Sequence, residues 1–170
     1  TWHHPVDASK LVTWVESHDT YCNAHESAGM SDEQIRAAWV FLTARNGGTP
    51  LFYSRPAGST RENYWGNNRI GERGNDEFKH PAVVAINNFR KEMQGEQEQV
   101  FTTENGSVVE VARGSKGIAL INFSTKESKY ELPTTLADGE YTDKVSGNIV
   151  NVKNGKIKGK LAPLATYIIY

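Results

Sequence analysis

Two hydrophobic rhythms divide the chain. In the first, apolar runs alternate with helical stripes. Leu11 to Ser17 is an apolar, β-prone run that ends abruptly in a polar pair, His18-Asp19. That is the profile of a buried strand whose C-terminal tip delivers polar groups to the mouth of a barrel. Ser31, with Gln34 three residues on, forms a capping box. Ile35, Ala38, Trp39 and Leu42 then trace an apolar stripe at helical spacing. This helix is expected to end at Asn46-Gly47-Gly48 with a left-handed glycine cap. Thr49 to Ser54 reads as a second short strand, with Pro50 at its start. A long connection follows, Arg55 to Lys79, rich in Gly, Asn and Arg, with Tyr64 and Trp65 in its middle. Connections of this length are functional or disordered. A second helix is predicted from about His80 to Gln94, with Pro81 in its first turn. Val83, Ile86, Phe89, Arg90 and Met93 form its buried face, and Gly95 stops it.

From Gln99 onward the rhythm becomes short and β-like. Runs fall at Val100–Thr103, Ser107–Arg113, Gly117–Asn122, Lys129–Leu132, Gly139–Thr142, Ile149–Lys153, Lys156–Leu161 and Ala165–Ile169. Lys153-Asn154-Gly155 lies between two alternating runs and predicts a hairpin. Eight short strands in succession indicate an antiparallel sandwich or barrel. The fold class is therefore α/β followed by all-β. A strand-helix-strand-helix piece cannot close its own parallel sheet, because both faces need cover and both edges stand open. The first half is expected to be the last quarter of a larger α/β unit. The remainder would come from an N-terminal portion or from another polypeptide.

Composition narrows this only a little. The chain has 170 residues, 38% hydrophobic and 23% charged, which suits one folded domain or two small ones. A net charge of -1 gives no pointer to nucleic acid or to an anionic membrane. No apolar run approaches the roughly 20 residues of a membrane helix. Thr1-Trp2-His3-His4-Pro5 lacks a signal peptide's basic region and apolar core, as a mature secreted protein or a fragment would. The single cysteine, Cys22, excludes an internal disulfide. A nucleophilic Cys22 would need His18 or His25 as base; packing in a loop is the simpler reading. A zinc hydrolase built on His3, His4, His18 and Asp19 would have a spacing unlike known zinc sets.

The residues also carry a resemblance. Leu11-Val12-Thr13-Trp14-Val15-Glu16-Ser17-His18-Asp19-Thr20-Tyr21 resembles the fourth signature region of the α-amylase family of glycoside hydrolases, an apolar strand ending in (Asn/Ser)-His-Asp. Gly48 to Pro56 is similar to the eighth barrel strand of those enzymes. Ile70 to Asp76, followed by Asn87-Asn88-Phe89-Arg90, resembles their last barrel loop and helix. The C-terminal β region resembles their Greek-key domain C. The pattern is nearest to secreted bacterial members of the Bacillus subtilis type.

The resemblance implies a (β/α)8 TIM barrel, of which residues 1–97 would be the seventh and eighth strand-helix units. Residues 98–170 would be a Greek-key β-sandwich, domain C. It further implies a secreted, endo-acting enzyme that cleaves internal α-1,4 bonds of starch and malto-oligosaccharides with retention. Three carboxylates act in that family. Asp19 matches the third, a transition-state stabiliser, and His18 matches a sugar-binding histidine. The segments that would bring the nucleophile, the general acid and the ligands of a family calcium ion have no counterpart in this chain. Asp7, Asp32, Glu33, Asp76 and Glu77 do not stand at strand tips with the family's flanking residues. The isolated chain is therefore expected to be inactive without its missing barrel segment. Tyr64 and Trp65 are either a sugar-stacking platform or loop packing, the second being favoured. Arg55 either touches sugar or pins the long loop, the second again being favoured. Arg69 and Arg73 are expected to pair with Asp76 or Glu72. The competing reading is a non-catalytic starch-binding or scaffold module. Against it, Trp2, Trp14, Trp39 and Trp65 all lie in the first half, away from the β region.

Overall fold

A computed structural model describes residues 7–67 and 72–170. His3, His4, Arg69 and the Ile70-Gly71 start of the third matching segment lie outside the described residues.

The first half is a strand-helix-strand-helix unit: β1 (Val12–Trp14), α1 (Asp32–Ala44), β2 (Thr49–Leu51) and α2 (Pro81–Glu92). β1 and β2 pair in parallel, Trp14 opposite Leu51. Both strands are shorter than their apolar runs. At the end of β1, Ser17 and Thr20 exchange backbone and side-chain hydrogen bonds, and the chain turns into one wide helical turn, Asp19–Asn23. Pro50 stands second in β2 rather than first, opposite Thr13. The Thr49 amide bonds Leu11 O. Amides alternate in direction along a strand, so the missing N–H of Pro50 faces away from β1 and breaks no bond between them.

The capping box of α1 forms as the sequence predicts. Ser31 Oγ accepts from the Gln34 amide, and Gln34 Oε1 accepts from the Ser31 amide. The far end differs from expectation. The cap is Arg45 in an extended conformation, and no glycine in the left-handed region follows it directly. Arginines bind the free carbonyls there instead. Arg90 donates to Thr43 O, Arg45 O and Gly48 O, and Arg113 donates to Ala44 O at 3.0 Å. Arg113 also reaches Met93 O at the end of α2 (2.8 Å), so one buried cation closes two helix C-termini. α2 starts at Pro81, with His80 Nδ1 accepting from the Ala82 amide.

The second half holds the eight strands the sequence predicts. β3 (Glu98–Thr102), β4 (Val108–Arg113), β5 (Gly117–Asn122) and β10 (Thr166–Ile169) form one antiparallel sheet, in the order β10-β5-β4-β3. β6 (Ser128–Pro133), β7 (Gly139–Thr142), β8 (Ile149–Lys153) and β9 (Lys156–Leu161) form the other, in the order β6-β9-β8-β7. The return of β10 beside β5 makes this a Greek-key sandwich. Val108, Ala112, Ile118 and Leu120 face the second sheet, whereas Val111, Ala119, Ile121 and Ile168 face α1 and α2. β5 is thus buried on both faces, which is why it reads as an unbroken apolar run. Gly117 permits the close fit: a Cβ there would stand 2.8 Å from both Ile169 O and Phe89 Cε2. At the β8–β9 hairpin, Asn154 (φ 54°) and Gly155 (φ 66°) both take the left-handed conformation that a two-residue turn requires.

Candidate active site

His18 and Asp19 sit where β1 gives way to the Asp19–Asn23 turn, and both are open to solvent. Their side chains are 66% and 70% exposed, with His18 Nε2 3.5 Å from Asp19 Oδ1. Asn23, one turn on, donates to the same Asp19 oxygen at 2.8 Å. A cleft of about 370 Å³ opens beside the pair, lined by Trp14, Glu16, Ser17, Leu51, Phe52 and Tyr53. Its floor is the outward face of the β1–β2 pair. Val12, Trp14 and Leu51 are 51%, 53% and 56% exposed there. Val15 and Phe52, on the opposite face, pack against the helix core. A polar pair therefore stands a few residues past β1, beside an apolar, uncovered strand surface.

The turn is held from below by a buried ion pair. Glu16 is 3% exposed and receives Arg55 Nε at 2.9 Å, Arg55 Nη2 at 3.1 Å and Ser27 Oγ at 2.8 Å. Arg55 also donates to Met30 O and Ser27 O and lies over the Tyr21 ring at 4.5 Å. Burial works to lower the Arg55 pKa, but the hydrogen bonds and charge of Glu16 outweigh it and hold it raised. Arg55 pins the loops that follow β1 and β2 together, as the sequence favours. Arg73 pairs with Asp76 at 2.6 Å.

Cys22 is buried, 3.4 Å from the Tyr53 hydroxyl and 3.6 Å from Tyr64 O. Burial, with the Cys22 contact next, raises the pKa of that hydroxyl. His25 turns its Nε2 to the carbonyl of Cys22 (2.9 Å) rather than to the thiol. Cys22 is thus a packed side chain, and the arrangement gives it no base. Tyr64 stacks on His25 (3.9 Å between centroids) and meets Tyr21 edge-on. Trp65 is 41% exposed. Among the described residues, no three His, Cys, Asp or Glu side chains gather as a metal ion would require. The described residues thus offer no cluster to hold a calcium ion.

Two supports of the site escaped the sequence reading, Glu16 and Asn23. The signal for Glu16 was its place next to a buried strand, where a carboxylate needs a cation partner. For Asn23 it was the four-residue spacing from Asp19 on a helical turn.

Several known proteins are similar to this chain. Residues 105–165 match the family model described as the bacterial α-amylase C-terminal domain. An α-amylase of Butyrivibrio fibrisolvens is 38% identical over 165 residues, covering 92% of this chain. The chain corresponds to the C-terminal part of α-amylases. An α-amylase of Clostridium acetobutylicum is 31% identical over 97% of the chain. The chain spans only 17% and 20% of the length of these two relatives. Solved structures show the same fold at low identity. α-Amylase I of Eisenia fetida, as a variant with maltohexaose, superposes with a TM-score of 0.70 at 16% identity. That match covers 97% of this chain and 42% of the other. A γ-cyclodextrin glucanotransferase of alkalophilic Bacillus clarkii gives 0.66 at 19% identity, covering 96% and 26%.

Proposed function

We propose that this chain supplies a transition-state-stabilising carboxylate, Asp19, and a sugar-binding imidazole, His18, to an endo-acting α-amylase. Such an enzyme hydrolyses internal α-1,4-glucosidic bonds of starch with retention. The observation that carries the reading is the exposed His18–Asp19 pair, on the turn that follows β1 after Val15-Glu16-Ser17, beside a cleft walled by Trp14 and Tyr53.

The geometry suits the chemistry. Retaining hydrolysis uses two carboxyl groups about 5 Å apart as nucleophile and acid/base, and its transition state resembles an oxocarbenium ion. A further carboxylate that accepts from ring hydroxyls more strongly in that state lowers the barrier by differential binding. Asn23 fixes one oxygen of Asp19, so the carboxylate meets the sugar already oriented. His18 donates to a hydroxyl of the same ring. The nucleophile and the general acid come from a barrel segment that covers the exposed Val12, Trp14 and Leu51 face. A calcium ion of the family would be held by that segment. Of the two loop aromatics, Trp65 is the platform available for sugar stacking, because Tyr64 is stacked on His25. The substrate is a polymer too large to enter a cell, so the enzyme acts outside it.

Two measurements test this. In the full-length enzyme, Asp19→Asn should lower kcat by several orders of magnitude and leave the melting temperature unchanged; a near-normal rate refutes the role. The isolated chain should release no reducing sugar from soluble starch, and turnover would show that a nucleophile lies within it. Strong retardation of the isolated chain in a starch gel, without turnover, would instead support a binding or scaffold module.

A further inference from the structure

The outer face of the β6-β9-β8-β7 sheet gathers charge that the chain's overall balance hides. Alternation points Lys129 and Glu131 of β6, Asn151 and Lys153 of β8, and Lys156, Lys158 and Lys160 of β9 outward, all exposed. Five of the chain's eleven lysines thus stand on one small sheet face. The register makes this costly. Lys129 lies opposite Lys160, and Lys153 opposite Lys156. Like charges directly opposite destabilise a sheet, and this sheet holds two such pairs.

The neighbouring carboxylates answer only part of it. Glu131 pairs with Lys156 at 2.9 Å and Glu127 with Lys160 at 3.0 Å. Lys129, Lys153 and Lys158 make no ion pair within 4 Å among the described residues, although Lys158 stands opposite Glu131 in the register, which it shares with Lys156, and Lys153 acts at longer range on Asp138. Asp138 is occupied by the amides of Asn154 and Gly155, and Glu140 stands on β7 at the far edge of the sheet. Along β9, Lys156, Lys158 and Lys160 repeat about every 7 Å. A hollow of about 530 Å³ lies among Glu131, Asn151, Lys153, Asn154, Lys156 and Lys158. It sets amide groups beside ammonium groups.

We propose that this face is a docking surface for an acidic polysaccharide, one whose sugars carry carboxylates. The lysine row meets the carboxylates, and Asn151 and Asn154 bond hydroxyls between them. The outward positions carry no aromatic side chain on which nucleic-acid bases would stack. The surface lies on the sandwich, apart from the His18–Asp19 cleft, and does not depend on the activity proposed for that cleft. It would hold the chain on a charged matrix while leaving the cleft open.

Affinity electrophoresis and titration calorimetry of the 170-residue chain with polygalacturonate test the surface. Retardation at low ionic strength that disappears at high salt is the expected result. The triple variant K153Q/K156Q/K158Q should bind on the order of tenfold more weakly, and the corresponding triple Arg variant should bind as the parent does. The single variant K158Q, which breaks no ion pair, should show a smaller loss in the same direction. Unchanged binding by the Gln variants overturns the proposal. So does equal retention by neutral soluble starch, or tighter binding to duplex DNA or anionic vesicles than to polygalacturonate.

Discussion

Glu110 makes stability depend on pH in a direction opposite to that of most carboxylates. It lies in the middle of β4, fully buried between the two sheets, where neither oxygen makes a well-formed hydrogen bond and the Thr134 hydroxyl gives it only a weak contact. Burial pushes its pKa up to about 7, with the neighbouring Thr134 hydroxyl opposing the rise. Tyr130 shares this environment, and burial pushes its hydroxyl up to about 12. In the unfolded chain the Glu110 carboxyl returns to its ordinary value of 4.5. Between those two values the folded protein keeps a proton that the unfolded chain has released. The stability associated with it is whole below pH 4.5 and is lost as the pH climbs to 7. At about 1.4 kcal/mol per unit, the loss comes to about 3 kcal/mol.

The assay is urea unfolding from pH 4 to pH 8 for the parent and for Glu110→Gln, which keeps the shape of the protonated acid without titrating. The difference between the two stabilities should shift in favour of the variant by about 3 kcal/mol across the window. His80 acts in the reverse sense. Its pKa is lowered by burial, with Arg36 next, so its contribution is lost as the pH falls below 6.5. That term is common to both proteins and cancels in the difference. Parallel curves for parent and variant would refute the reasoning, because they would mean that Glu110 carries the same charge folded and unfolded.

Other outcomes follow from single contacts. Arg55→Ala strands Glu16 in the interior and should cost about 3–5 kcal/mol by thermal or chemical denaturation, and Arg55→Lys should recover only part because it cannot reproduce the forked contact. Gly117→Ala forces a methyl group against Ile169 O and the Phe89 ring and should cost about 1–3 kcal/mol, read as a lowered urea midpoint. Ser31→Ala removes the α1 cap and should cost about 1 kcal/mol.

The strands of the second half were legible because their causes are local. Gly117–Asn122, Gly139–Thr142, Ile149–Lys153 and Lys156–Leu161 begin and end where the alternation and the turn residues place them. β1 was overestimated for the opposite reason. The apolar content of Leu11 to Val15 records which faces are covered, but the length of a ladder depends on its neighbours, and β1 has β2 as its partner over three residues. His18-Asp19 was visible as an abrupt change from apolar to polar. What holds that pair was not. Glu16 and Arg55 are 39 residues apart, and Arg113 and Ala44 are 69 apart. Such contacts leave no period in the sequence. The lysines of the outer sheet show the same limit, since each alone reads as a solvated side chain and only the register sets Lys129 against Lys160.

The hidden contacts bear on the visible ones. Asp19 stands three residues beyond Glu16, on a turn held by the Glu16–Arg55 ion pair, the Ser17–Thr20 bonds and the buried side chains of Tyr21 and Cys22. A change at Arg55 should therefore move Asp19 without touching it. In the full-length enzyme under the proposed mechanism, Arg55→Lys should lower kcat more than it raises KM. An effect confined to melting temperature would mean that the ion pair supports the loops alone and leaves the carboxylate where it is.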